Sequence, residues 1–332
     1  MNIIENPSKQ DWQTVIKRPT QTVNDIESVV TKVFQETAKN GDKAIAKYTQ
    51  KFDGVSLPEI QVTNFEINEA CNKILPELKE AILLAKNNIE KFHTAQKTSR
   101  VEVETTNGVR CWQEKRAIQK IGLYIPGGTA PLLSTVLMLA IPAKIAGCKE
   151  IVLCTPPNKE GKIANEILYA AKICGVSKIF KVGGIQAIAG LTFGTESIPK
   201  VFKIFGPGNQ FVTVAKQLAT NYGVAIDMPA GPSELLVIAD DSANAAFVAS
   251  DLLSQAEHGA DSQVILVSDA KDFILSVTNE IEKQLAVLPR KEIAEKALLN
   301  ARAVLLESEN DALSFVNDYA AEHVIIATRN NN

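Results

Sequence analysis

The chain contains three histidines, and two of them close the same tripeptide, Ala256-Glu257-His258 and Ala321-Glu322-His323. Imidazole is the side chain best suited to proton transfer near neutral pH and to metal ligation. Joining it twice to a carboxylate marks two places where acid–base or metal chemistry is available. The first lies in Ser254-Gln255-Ala256-Glu257-His258-Gly259-Ala260-Asp261-Ser262, which crowds an amide, two carboxylates and an imidazole into one short segment. Gln255 and His258 stand three residues apart, so on a helix ending at His258 they share a face and can point at one metal. Histidine is a common zinc ligand and a glutamine oxygen an unusual one, and a polar helix end explains the same spacing. Glu257 and Asp261 then face away, as supporting or surface groups. At the second tripeptide, Glu322 and His323 offer a base with a pKa near working pH beside another proton-handling group. His93, after a helical run, reads as a surface residue.

The elements that must position these groups change character near residue 100. Before it the chain reads as helices. Asn24-Asp25 can cap a run with Ile26, Val29, Val30, Val33 and Phe34 at helical spacing, stopped at Asn40-Gly41. A second run covers Asp42 to Phe52, and a third runs from about Asn68 to Phe92 with Pro76 as a break or fresh start. From about Val101 short apolar runs alternate with helical ones. Strands are expected at 120–125, 150–154, 178–182, 201–205, 224–227, 235–239, 263–267 and 324–327, with helices between them and one long helix from about Asp269. Strict strand–helix alternation predicts an α/β fold with parallel sheets and helices on both faces.

Three strands end in glycine-rich turns that open a helix: Pro126-Gly127-Gly128, Gly183-Gly184 and Gly206-Pro207-Gly208-Asn209. Such turns bring backbone N–H groups and a helix N-terminus close to an anion or nucleotide. None is a G-x-G-x-x-G fingerprint, no acidic residue follows at the distance that holds a ribose, and glycine at a strand–helix turn also serves plain sterics. Three turns at the carboxyl ends of one sheet nevertheless favour a nucleotide crevice.

Composition bounds the partners. A formal charge of −3 with no Lys/Arg block gives no sign of a nucleic-acid or membrane-surface partner. No apolar stretch reaches bilayer length, and the Met1–Pro7 start lacks the pattern of a signal peptide. Five cysteines, odd in number, scattered and never in CxxC, fit reduced thiols in a cytoplasmic enzyme. Cys111 and Cys148 lie in strand-like or apolar contexts, which favours a hydrate over a covalent thiol adduct.

The blocks Ile121 to Gly128, Phe205-Gly206-Pro207-Gly208-Asn209, Asp227-Met228-Pro229-Ala230-Gly231-Pro232-Ser233-Glu234 and Asp251 to Ser262 together resemble histidinol dehydrogenases, with Ala321-Glu322-His323 in the right place behind them. The similarity runs from about Asp25 to Thr328. It implies two Rossmann-like parallel-sheet domains, similar to those of aldehyde dehydrogenases, after a helical N-terminal segment. The expected division is 1–100 for that segment, 121–231 for the nucleotide domain, and 101–120 with 232–332 for the domain carrying metal and catalytic residues. The resemblance implies NAD- and zinc-dependent oxidation of L-histidinol through L-histidinal to L-histidine by a homodimer. It makes Gln255 and His258 zinc ligands, the metal holding the substrate's imidazole and amino nitrogens. It gives His323 proton transfer and Glu322 water activation, Ser233 a substrate contact, and Tyr124, Gln186 and Asn209 cofactor contacts. Gln255, His258 and His323 thus also face the substrate.

The family continues beyond Asn332, and its remaining zinc ligands, an Asp and a His, lie there. The expectation is a truncated chain that folds its central α/β part, holds zinc weakly and turns over histidinol negligibly. Two other classes stay open: a nucleotide-binding α/β module or degenerate paralogue without redox turnover, and a zinc hydrolase using Glu322 as base.

Overall fold

A computed structural model describes residues 1–18, 23–127, 131–228 and 233–330, and the side chains of 23–25 are also outside the description. The expected Asn24-Asp25 cap, Gly128 and residues 229–232 of the motifs therefore lie outside the described residues. The elements begin with β1 (Asn2–Glu5), α1 (Trp12–Val15), α2 (Val23–Asn40), α3 (Asp42–Phe52), α4 (Asn64–Lys73), α5 (Pro76–Ala95), β2 (Val101–Thr106) and β3 (Val109–Gln113). They continue with β4 (Lys120–Tyr124), α6 (Leu133–Ala146), β5 (Glu150–Thr155), α7 (Asn165–Cys174), β6 (Lys178–Lys181), α8 (Gly184–Phe193), β7 (Lys203–Phe205), α9 (Gln210–Thr220) and β8 (Ala225–Ile226). The last are β9 (Glu234–Ala239), α10 (Ala245–Ala256), β10 (Gln263–Ser268), α11 (Lys271–Val287), α12 (Lys291–Leu298), β11 (Arg302–Leu305), α13 (Glu309–Tyr319) and β12 (His323–Ala327).

The chain divides into two compact units, Val23–Ala230 and a discontinuous one built from Met1–Thr22 with Gly231–Asn332. In Val23–Ala230 the sheet order is β6-β5-β4-β7-β8, and all neighbours run parallel. Counted from β4, the order is third, second, first, fourth, fifth, the doubly wound arrangement whose switch point lies between β4 and β7. Both faces of its strands are buried, so alternate residues enter different cores. Tyr124, Val152 and Cys154 pack with Val33, Phe34, Ile45 and Ile188. Ile121, Leu123, Ile151 and Leu153 pack with Ala70, Ile82, Leu137 and Leu168 on the other face.

Helices α2 to α5, expected as a separate N-terminal segment, therefore supply layers of this unit. Their apolar stripes have no other core to enter. The 101–120 stretch also groups here. Within it, β2 and β3 form an antiparallel hairpin closed at Asn107-Gly108 and exposed on both faces. Asn-Gly is the expected pair for such a turn.

The other unit holds a parallel sheet of order β1-β11-β10-β9-β12. Counted from β9, it again runs third, second, first, fourth, with β1 added outside β11. Helices α10 to α12 cover one face, and Trp12 with Phe315 and Tyr319 fills the other. Trp12 meets Phe315 edge-on at 5.4 Å. Both sheets are Rossmann-like, as expected for the α/β class. No helix among the described residues is long and apolar enough to cross a membrane.

Candidate active-site residues

In the Val23–Ala230 unit Gly127, Gly183-Gly184 and Gly206 to Asn209 follow the carboxyl ends of β4, β6 and β7, and the last two turns meet at Tyr124. This residue ends β4 with 4% of its surface exposed. Its hydroxyl accepts the N–H of Gly184 at 3.1 Å, which ties the turn after β6 to the end of β4. On its other side Gly206 lies so close that a Cβ there would stand 2.0 Å from the Tyr124 carbonyl oxygen. Gly206 also has φ +138, a backbone conformation that side chains resist. Burial pushes the Tyr124 hydroxyl up to about 12, so it stays a neutral hydrogen-bonding group.

Not every glycine here is reserved for a ligand. A Cβ on Gly127 or Gly183 would run into the Pro156 ring at 2.6 and 2.5 Å, so these two glycines let three strand ends pack.

Gln186, in the first turn of α8, is fully buried. Its Nε2 donates to Asp53 Oδ2 at 2.9 Å, while its Oε1 has no hydrogen-bond partner. Burial raises the Asp53 carboxyl to about 6, and the Gln186 bond opposes that shift. Asn209 caps α9 with its Oδ1 on the Val212 N–H at 3.1 Å, leaving its amide N–H groups available to a ligand. The turn before it is clamped by a buried lysine and a partly exposed aspartate. Lys216, 2% exposed, donates to the Gly206 carbonyl at 2.7 Å and pairs with Asp227, whose Oδ2 accepts the Gly206 N–H at 2.7 Å.

In the other unit the expected residues line the amino edge of the sheet rather than its carboxyl edge. Ser233 precedes β9, and its carbonyl accepts the N–H of Gln263 at the start of β10. Glu322 precedes β12 and His323 begins it, opposite Leu235 in β9. The side chains of Glu322 and His323 are exposed, with Oε1 3.8 Å from Nε2. Helix α10 runs back from the carboxyl edge and delivers Gln255 and His258 to the same side. It ends at Ala256 with Glu257 as its C-cap, so His258 lies just beyond the helix. The His258 N–H bonds to the Gln255 carbonyl at 3.2 Å in a tight closing turn. Gln255 is buried and His258 exposed, its Nδ1 2.8 Å from the Ser254 carbonyl oxygen. That bond occupies Nδ1, so Nε2 is the ring nitrogen left to ligate.

Sequence reasoning missed Asp53, Lys216, Asp227, Arg18 and Glu234. Asp227 and Glu234 could have been found, because both carboxylates flank the Pro-Ala-Gly-Pro-Ser turn at strand edges. Arg18, Asp53 and Lys216 carry no local signal.

The family model for histidinol dehydrogenase matches residues 16–332. The histidinol dehydrogenase of Bacteroides thetaiotaomicron is 55% identical over 330 residues, which span 99% of this chain and 77% of that protein. The Campylobacter jejuni enzyme is 51% identical over 331 residues, spanning 99% of this chain and 76% of that protein. The crystal structure of histidinol dehydrogenase from Elizabethkingia anophelis aligns with a TM-score of 0.96 at 54% identity, covering 99% of this chain and 76% of that one. By sequence and by fold alike, the chain belongs to the histidinol dehydrogenase family of oxidoreductases.

Proposed function

We propose that this chain catalyses the four-electron oxidation of L-histidinol through L-histidinal to L-histidine with two NAD, as a zinc-dependent cytoplasmic homodimer. The observation that carries the NAD assignment is the meeting of two helix-opening turns, Gly183-Gly184 and Gly206 to Asn209, at Tyr124 beside the switch point of a doubly wound sheet, where dinucleotides bind. Tyr124, Gln186 and Asn209 would hold the cofactor, and the unpartnered Gln186 Oε1 is an acceptor suited to a ligand hydroxyl or amide. When bound, NAD accepts the hydride in each oxidation.

His323 removes the hydroxyl proton as the first hydride leaves, giving aldehyde, NADH and a proton. Glu322 then takes a proton from the water that adds to the aldehyde. Once its first proton has passed to solvent, His323 accepts the remaining hydroxyl proton of the hydrate as the second hydride leaves, and the carboxylate forms. Ser233 contacts the substrate beside β9. Zinc fits only in part. Gln255 and His258 offer two donors, and among the described residues no group of three or more His, Cys, Asp or Glu is placed to hold a metal. Zinc favours four ligands, so the substrate nitrogens and donors beyond this pair must complete its shell.

The test is NADH formation, followed by absorbance, on adding L-histidinol to the zinc-supplemented protein with NAD. Two NADH per histidinol support the reading. The two-donor metal set favours a second reading, a nucleotide-binding module without turnover, and NAD binding with no histidinol-dependent NADH would support it. Hydrolysis without NAD would indicate a zinc hydrolase instead.

A further inference from the structure

Arg18 and Glu234 are 216 positions apart in sequence and meet at the amino end of β9. Arg18 Nη2 donates to Glu234 Oε2 at 3.0 Å and its Nε donates to Oε1, so the guanidinium fork grips the carboxylate with two bonds. Glu234 is 8% exposed, and this charge has given up water for the half-exposed guanidinium. The same Nη2 donates to the Tyr319 carbonyl at 2.9 Å, and the guanidinium carbon lies 5.0 Å from the centre of the Tyr319 ring. The Tyr319 hydroxyl donates to Gln263 Oε1 at 3.0 Å, and Gln263 Nε2 donates to the Lys17 carbonyl at 3.1 Å. The network closes on itself, joining the 17–18 segment to the starts of β9 and β10 and to the end of α13.

What it fixes is the segment entering Glu322. Tyr319 ends α13, and Ala320 follows with φ 47 and ψ 58, a left-handed conformation for an L-residue. Such a residue costs roughly 1–2 kcal/mol and persists only where its surroundings hold it. Arg18 holds the carbonyl just before it. Two residues later, Glu322 Oε2 accepts the Glu234 N–H at 3.4 Å. One guanidinium thus secures both the backbone leading into Glu322 and the strand end that its carboxylate meets.

We propose that Arg18 is a positioning residue for the oxidation of the aldehyde: its joint hold on the Glu234 carboxylate and the Tyr319 carbonyl sets where Glu322 presents its carboxylate. The inference rests on the role given above to Glu322 and adds the group that places it. A lysine at 18 keeps the charge but loses the planar fork, so it cannot hold both partners at once.

The test compares Arg18→Lys, Glu322→Gln and their combination in the zinc-loaded enzyme, with histidinol oxidation and histidinal oxidation measured separately by stopped flow. Arg18→Lys should slow histidinal oxidation about tenfold to a hundredfold in kcat, the scale of a small misplacement of a reacting group. Histidinol oxidation and the KM values should stay within about threefold. On the Glu322→Gln background, Arg18→Lys should cause no further loss, because residues acting as a unit are not additive. If Arg18→Lys unfolds at assay temperature, Arg18→Met with Glu234→Gln replaces it, since removing both charges leaves neither one buried and unpaired. Equal slowing of both oxidations, losses that multiply, or no loss beside a normal Glu322→Gln defect would overturn this proposal alone. Unimpaired histidinal oxidation in Glu322→Gln would overturn the role of Glu322, and this inference with it.

Discussion

Asp53 is a carboxyl whose environment opposes its charge, and the sign of that effect can be worked out. An unfolded Asp titrates near about 3.9, whereas burial moves Asp53 to about 6. The folded chain therefore binds this proton more tightly, so ionisation of Asp53 costs stability. The cost is absent below the unfolded value, grows as pH rises between the two, and is complete above the folded one. Asp53→Asn, whose side-chain oxygen still accepts the Gln186 amide, should raise the unfolding free energy near pH 7 by on the order of 2 kcal/mol. Near pH 4 it should change little. Urea melts at both values are the check, and an equal gain at both would sink the argument. Among the exposed groups, Glu322→Gln should block histidinal oxidation and largely spare histidinol oxidation, while His323→Asn slows both, since each step removes a hydroxyl proton. Equal losses in both steps for Glu322→Gln would refute the division. Cys148 is pushed up by burial, away from thiolate chemistry, and Cys111 lies on the exposed β3. Cys111→Ser and Cys148→Ser should each keep most of kcat, and a loss near a thousandfold in either would revive a covalent route. The proposed pair Glu322 and His323 stood out in the sequence because the chain has so few histidines. Arg18, Asp53 and Lys216 were not, because only tertiary burial separates them from the other charged residues.

The strand–helix turns show what one backbone position can cost. Gly206→Ala places a Cβ on the Tyr124 carbonyl at a φ of +138, so it should destabilise by about 3 kcal/mol or more and abolish NAD binding. Gly108→Ala, with φ +79 but nothing within 4 Å of the added carbon, should cost only about 1 kcal/mol and leave NAD binding intact. Denaturation curves with NAD titration separate the two, and similar costs would show that conformation alone, not contact with Tyr124, makes Gly206 necessary. The alternation of buried strands with helices could be read from the sequence because each apolar run was bounded by Gly, Pro or a polar turn. Three features were hidden for identifiable reasons. Strand β11 is four residues long and follows α12 with no Gly or Pro between them to mark a turn. The long helix expected from about Asp269 is α11, and a further helix, α12, follows it past Pro289, where proline removes a donor and crowds the preceding turn. Strand β1 is four residues long and finds its partner, β11, only at the far end of the chain.

Two sheets of the same winding carry their candidate site residues on opposite edges, and the chain builds them in different ways. Val23–Ala230 is one continuous stretch whose sheet has its own core on each face. Everything that arranges Tyr124, Gln186 and Asn209, including Asp53 and the Lys216–Asp227 clamp, lies within it. The other unit needs both ends of the sequence. Its first residues supply β1 against β11, Trp12 against Phe315, and Arg18 to Glu234. The helical segment before residue 100 could not be assigned to a layer from sequence, because an amphipathic stripe does not reveal which sheet it will cover. Deletion should separate the two constructions. A fragment spanning Val23–Ala230 should fold cooperatively and keep NAD affinity within about tenfold of the intact chain. Removal of residues 1–22 should leave that transition in place and abolish the other, because it strips an edge strand, a core tryptophan and the partner of a buried carboxylate together. Each of those losses alone is worth a few kcal/mol, a large part of a domain's net stability. Calorimetry of the two deletions, with NAD added to identify its own unit, decides the matter. If the Val23–Ala230 fragment fails to melt cooperatively, or the 1–22 deletion keeps both transitions, the division of the molecule argued here is wrong.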